Sequence, residues 1–202
     1  MIHDPILEPL WDGQHVLAHV DAARQEEGRT WLRLIDVEGD EVTASVPEVV
    51  DELRSAVLAI DCVMDGYLTD QATRTGEGAA MTLRADISPM QAVLPRAPEL
   101  DIEAQADGLG DGPIAFVAVD LLRLDGQPLL DLPLLERKRL LEGALLPGAL
   151  VRISPYTRPP LNVWLASWKS AGFAGAVMKA ANSRYRPQTV TDEWAILTRL
   201  GR

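Results

Sequence analysis

The hydrophobic pattern of the chain is densest between residues 114 and 146. Over 114–124 the apolar residues run almost unbroken, interrupted only by Asp120 and Arg123, and Asp125-Gly126 closes the run. A continuous apolar stretch ended by a turn dipeptide predicts a largely buried strand. The period then changes. Leu134, Leu135, Leu140, Leu141 and Leu145 return at near-helical intervals, Pro133 suits a first turn, and Asp131 is placed to cap it. The prediction is a helix whose Glu136, Arg137, Lys138 and Arg139 face water.

Upstream, the alternation at 15–20 and the pattern at 30–35 predict two strands joined by a polar turn. Ser45 and Glu48 form a capping-box pattern before the stripe Val46, Val49, Val50, Leu53 and Val57, which predicts a short helix. A strand over 59–64 is expected to end at Asp65-Gly66-Tyr67. Residues 71–112 are weakly patterned, with one predicted strand at 81–87. The glycine-containing stretches 74–78 and 107–112 lack the full ligand sets of a phosphate loop and of an EF-hand, and both are read as loops. Downstream, 150–154 reads as a strand, and 160–171 as a helix with Leu161, Trp164, Leu165 and Trp168 on one face.

Composition narrows the class. A chain of 202 residues with 47% hydrophobic and 24% charged residues fits one soluble globular domain. With no apolar run long enough for a bilayer and no signal-peptide pattern at the start, the expected location is cytoplasmic, without a membrane partner. The single cysteine, Cys62, lies in an apolar run and is expected to be a buried structural thiol. Nineteen Lys+Arg against thirty Asp+Glu give a net charge of -11, whose averaged field repels a phosphate backbone. Lysine occurs only at Lys138, Lys169 and Lys179.

Five segments carry a family resemblance. They are Glu8-Pro9-Leu10-Trp11-Asp12-Gly13, Asp65-Gly66-Tyr67, the run from Phe116 to Leu122 followed by Asp125-Gly126 and Asp131-Leu132-Pro133-Leu134-Leu135-Glu136-Arg137, Ala174-Gly175-Ala176-Val177-Met178-Lys179 with the following Ser183-Arg184-Tyr185-Arg186-Pro187, and Trp194-Ala195-Ile196-Leu197-Thr198. Together they resemble the adenylation domain of ATP-dependent DNA ligases from Glu8 to Thr198, most weakly between 71 and 112. The resemblance implies an α+β fold of two mainly antiparallel β-sheets flanked by helices, like DNA ligase and mRNA-capping nucleotidyltransferases and ATP-grasp-like, with a nucleotide cleft between the sheets. The expected organisation is a single ligase-like adenylation domain over 1–202, with no OB-fold domain.

The departures from the family are chemical. The family reads Glu-Pro-Lys-Trp-Asp-Gly, and its lysine attacks the α-phosphate of ATP to form lysyl-AMP; here Leu10 holds that position, and an isobutyl group has no lone pair. Tyr67 stands where the family has a glutamate, Ala174 where it has a metal-binding glutamate, and Ile196 and Thr198 where it has triphosphate-binding lysines. His15 stands at an arginine position and is read as an ordinary strand residue. Lys179 is kept. Glu8 is directed by the resemblance towards an adenine amino group, although by itself it reads equally as a solvated carboxylate.

ATP needs magnesium and several cations, and five of these positions are uncharged or altered together. The expectation is therefore a ligase-like pseudoenzyme linked to DNA repair, an interaction or regulatory component that binds a protein partner and binds DNA weakly by itself. No catalytic residue, metal ligand or cofactor is expected. Glu8, Trp11, Asp12, Gly13 and Lys179 form the expected degenerate nucleotide cleft. The alternative is a divergent ligase adenylation domain that still uses ATP and Mg, with a partner. A third reading, a non-catalytic DNA-binding module, needs Arg152, Arg158, Arg184 and Arg186 to converge on one face.

Overall fold

The apolar run after residue 114 lies between two cores, which is why it carries no polar alternation. The computed structural model describes residues 2–72, 112–158, 162–187 and 189–198. Its strands are β1 (Pro5–Pro9), β2 (Gln14–Glu26), β3 (Arg29–Asp36), β4 (Asp61–Thr69), β5 (Ala115–Leu124), β6 (Gln127–Pro128), β7 (Val151–Ile153), β8 (Ala176–Ala180) and β9 (Trp194–Leu197). The helices are α1 (Pro47–Ala56), α2 (Leu134–Ala144) and α3 (Asn162–Ser170). One sheet has the order β3-β2-β4-β5-β6, with β7 parallel beside β5; the other has the order β1-β8-β9. The expected α+β arrangement of two mainly antiparallel sheets with flanking helices is the one observed.

Phe116, Ala118 and Leu121 of β5 join a core formed with Val16, Val20, Leu32, Leu34, Met64, the α1 residues Val49, Val50 and Leu53, and Leu141 of α2. Ala115, Val117 and Val119 point to a second core with Leu7, Trp11, Trp168, Phe173 and Ala176. A strand covered on both faces reads as a continuous apolar run, and each fully buried aliphatic side chain contributes about 1.5–3 kcal/mol. Cys62 belongs to the first core, and burial beside Asp61 and Asp125 pushes its thiol up to about 12.

Local details differ from the sequence expectations. Helix α1 begins at Pro47 without a side-chain cap, and the Ser45 hydroxyl donates to the Val42 carbonyl instead of forming a capping box with Glu48. Asp131 does not cap α2. Pro133 stands at that end, and the Leu134 and Leu135 N–H groups donate to the carbonyls of Ser183 and Ala181, so a tertiary partner takes the capping role. Strand β4 does not stop at Asp65-Gly66-Tyr67 but continues to Thr69. A Cβ at Gly66 would come within 2.5 Å of Phe116 and of the Val117 carbonyl oxygen, so only glycine lets β4 and β5 approach there. The expected strand 81–87 and the loops at 74–78 and 107–111 lie outside the described residues.

The largest correction concerns α2. Glu136 and Arg139 pair with each other on the exposed face, but Arg137 and Lys138 do not face water: they are 0% and 1% exposed. They share the inward stripe with Leu134 and Leu141.

Candidate functional site

The register of the small sheet assembles one wall of a cleft. Glu8 lies opposite Val177, Val177 opposite Ile196, and Lys179 opposite Trp194, so these five side chains share one sheet face. Glu8 and Lys179 are diagonal neighbours on that face, and the Lys179 ammonium donates to Glu8 Oε2 at 3.2 Å. The same ammonium lies 4.6 Å from the Trp194 ring centroid, while the Trp194 N–H donates to Ser183 Oγ at 2.9 Å.

His15, Asp65, Tyr67 and Val119 of the large sheet form the facing wall. His15 and Tyr67 are directly opposed across β2 and β4, and their rings stack with centroids 4.9 Å apart. His15 Nε2 contacts Asp65 Oδ1, and the Tyr185 hydroxyl donates to Asp65 Oδ2 at 2.9 Å. The hydrogen bond to Asp65 raises the His15 imidazole above its ordinary value against the opposing effect of burial. Burial and the Asp65 charge push the Tyr185 phenol up, keeping it a neutral donor.

Asp65 and Asp120 face each other across β4 and β5, a like-charge pair that needs two separate sources of positive charge. Asp120 finds Arg137, which donates from Nε and Nη2 to its two oxygens, each at 2.8 Å. The Arg137 Nη1 also donates to the carbonyls of Leu132 and Ser183. This buried fork ties β5, α2 and the turn after β8 together.

Beneath the small-sheet wall, Lys138 Nζ lies 2.8 Å from Glu8 Oε1, on the oxygen that Lys179 leaves free. The contact is an ion pair without hydrogen-bond alignment. Glu8 is thus 2% exposed between two ammonium groups, not a solvated carboxylate. Burial acts to raise its carboxyl, but Lys138 and Lys179 outweigh that effect and hold it below the usual carboxylate range. Burial, with help from Lys179, pushes the Lys138 ammonium down, whereas Glu8, Asp120 and Asp65 together overcome burial to raise Lys179.

The space between the walls is about 400 Å³, within the range of small-molecule sites. Leu10 lines it. Half-buried, with its N–H donating to the Gly175 carbonyl at 3.0 Å, it forms part of the wall and does not seal the cleft into core. Trp11 also reaches the lining, its N–H donating to Ser154 Oγ at 2.9 Å and its ring meeting Phe173 edge-on. Of the five residues expected in the cleft, Glu8, Trp11 and Lys179 are brought together there. Asp12 and Gly13 are outside the lining. The Asp12 carboxylate accepts from the Gly13 N–H, and Gly13 has a φ of 124°, where a Cβ would collide with the Leu68 carbonyl oxygen. Tyr67 and Ile196 line the cleft, and Ala174 is exposed outside it. Arg158 is directed to Asp4, at 3.7 Å.

Among the described residues of the lining, His15 is engaged by Asp65 and Lys179 by Glu8, and no group of three His, Cys, Asp or Glu is placed to share a metal. Sequence reasoning missed Lys138 altogether and gave His15 no role in the cleft, although the spacing Leu134, Arg137/Lys138, Leu141 was itself a helical stripe.

Comparison with known proteins agrees with this architecture. Residues 3–196 match the family model for the ATP dependent DNA ligase domain. DNA ligase 1 of Methanosarcina mazei is 27% identical over 147 residues, covering 73% of this chain and 23% of that protein. DNA ligase C2 of Mycolicibacterium smegmatis is 28% identical over 183 residues, covering 89% of this chain and 46% of that protein. The chain therefore spans less than half the length of these relatives. Among solved structures, the ligase domain of M. tuberculosis LigD superposes with a TM-score of 0.60 at 22% identity, covering 95% of this chain and 52% of that one, a likeness of fold.

Proposed function

Because the chain belongs to the ATP-dependent DNA ligase domain family, we propose that it keeps the adenylation fold and its cleft without transferring nucleotide, and serves as an interaction or regulatory component linked to DNA repair. The observation that carries this reading is Leu10 in the cleft wall, at the position where the resemblance places the nucleophilic lysine. The retained lysine of the lining, Lys179, is held by Glu8. A hydrocarbon side chain has no lone pair with which to attack phosphorus. Incubation with magnesium and ATP labelled at the α-phosphate, followed by denaturation, should leave no label on the protein. A stoichiometric acid-labile, base-stable adduct would overturn the reading.

The retained cleft, with Lys179 in its wall, favours reversible binding of a small ligand over an entirely closed core. The partner in this reading is another protein, and the setting is the cytoplasm. Among the described residues no helix is long and apolar enough to cross a membrane.

The charges support weak binding to DNA in this reading. Tight duplex binding takes about 6–10 phosphate contacts, yet Arg29, Arg33, Arg123, Arg137, Arg139 and Arg158 already pair with carboxylates. Titration with a nicked duplex at near-physiological salt should give little binding. Submicromolar affinity that falls steeply with salt would instead establish the DNA-binding reading.

A further inference from the structure

We infer that the surface where α1 and α2 end, around Leu58, Ile60 and Leu146, docks a protein partner that presents aliphatic side chains flanked by lysine or arginine. This deepens the proposed interaction role and rests on it.

The two helices finish side by side. Val57 and Leu145, the residues after them, form an isolated antiparallel bridge. The Leu58 N–H donates to the Ala144 carbonyl at 2.9 Å, and the Leu146 N–H to the Ala56 carbonyl at 2.8 Å. Side chains alternate across such a ladder. Val57, Ala59 and Leu145 turn into the large core, so Leu58, Ile60 and Leu146 turn out, and they are 65%, 63% and 60% exposed. Leu58 and Leu146 are diagonal neighbours on that outer face, a separation of about 7–8 Å. The Ile60 carbonyl accepts the N–H of Ala22, which is exposed as well and extends the patch. Single exposed apolar residues are ordinary, whereas a contiguous group marks a contact surface.

The charges beside the patch choose its occupant. Asp125 accepts the Ile60 and Asp61 N–H groups. Asp61 stands directly opposite Asp21 across β4 and β2. These three carboxylates share the guanidinium of Arg123, which spans both oxygens of Asp61. Neighbouring cations are directed elsewhere: Arg24 lies over the Trp31 ring, and Arg54 is held by Asp51 and the Thr30 carbonyl. Helix α2 has no basic residue in its last turn, and two helix C-termini add the negative ends of their dipoles. DNA, an anionic membrane and a second copy of a chain with net charge -11 would all be repelled here. A basic and aliphatic protein segment is attracted by both components of the surface.

The probe is a fluorescent helical peptide of leucine and lysine, with leucines at i, i+3, i+4 and i+7, compared by anisotropy with its leucine and glutamate counterpart. The wild-type protein should bind the lysine peptide at least about tenfold more tightly. Leu58→Ser with Leu146→Ser should weaken that binding by about tenfold. Val37→Ser, which removes another exposed apolar side chain among carboxylates, should leave it within about twofold. Asp125→Asn keeps an acceptor for the Ile60 N–H and suits the positive φ of 45° at that position, so it removes charge alone and should weaken binding about threefold.

Undiminished binding by the double serine variant would overturn the inference, as would equal binding of the two peptides. A wild-type dimer in sedimentation that the double variant abolishes would assign the face to a second copy instead, and binding to phosphatidylserine vesicles lost in that variant would assign it to a membrane. Should the double variant fail to fold, Asp125→Asn decides: weaker binding supports the inference and unchanged binding refutes it. None of Leu58, Ile60 and Leu146 lines the cleft, so the labelled-ATP experiment judges the non-transferring reading independently of this surface.

Discussion

Arg137→Met should cost about 3–5 kcal/mol of folding stability, the largest loss expected from any single substitution around the cleft. Arg137 and Asp120 are 0% and 1% exposed, and the pair is joined by two hydrogen bonds of 2.8 Å. Methionine fills much of the same volume but leaves the Asp120 carboxylate buried without its counter-charge. It also leaves the Leu132 and Ser183 carbonyls without the Nη1 donor. Against a typical domain stability of about 5–15 kcal/mol, the loss is a large fraction of the total.

The double variant Arg137→Met with Asp120→Asn should be less destabilised than the sum of its single variants, because it buries no orphan charge. Urea unfolding of the four proteins measures the coupling. A single variant within about 1 kcal/mol of wild type would show that the fork does not hold β5 to α2.

Leu10→Lys should fold and yet form no covalent adduct with ATP. Leu10 is half-buried in a wall that faces open space, so a lysine there can extend its ammonium into the cleft and escape the full penalty of burial. Supplying the nucleophile does not supply the charge stabilisation that phosphoryl chemistry requires. Tyr67, Ala174, Ile196 and Thr198 would still occupy the positions that the resemblance assigns to two carboxylates and two lysines.

Loss of one preorganised electrostatic contact costs roughly 10²–10³ in rate, so even two unrelieved losses would leave about 10⁴-fold less activity. The new ammonium would also stand near Lys179, a like charge that raises the cost of ionising it. Quenched incubation with labelled ATP and magnesium, followed by gel analysis of the denatured protein, is the measurement. Stoichiometric labelling within minutes would show that the other four substitutions are tolerated, and would reduce the change in this chain to one residue.

The sequence by itself determined β2, β3, β4, β5, β7, the three helices and the identity of the side chain at position 10, but not β1, β8 and β9 of the small sheet. The unbroken run of β5 announced burial on both faces, and the alternation in β2 announced a half-covered strand, because hydrophobic spacing reports local burial directly. The motifs around Trp11, Asp65, Lys179 and Trp194 each contribute a residue to the cleft. What they could not convey was the partner of each charge.

Arg137 and Lys138 sit within a run of charged residues, and such a run ordinarily belongs to water. Whether it can instead be buried depends on a carboxylate supplied from elsewhere: Asp120 from the preceding strand, and Glu8 from the other end of the chain. The same is true of His15, whose role is set by Asp65 and Tyr185, and of the α2 N-terminus, whose donors are met by carbonyls after β8 instead of by Asp131. Burial of an apolar group is favourable against almost any apolar neighbour, so its pattern can be read along the chain. Burial of a charge is favourable only against a specific opposite charge at about 3 Å, and only the tertiary structure decides which residues are that close.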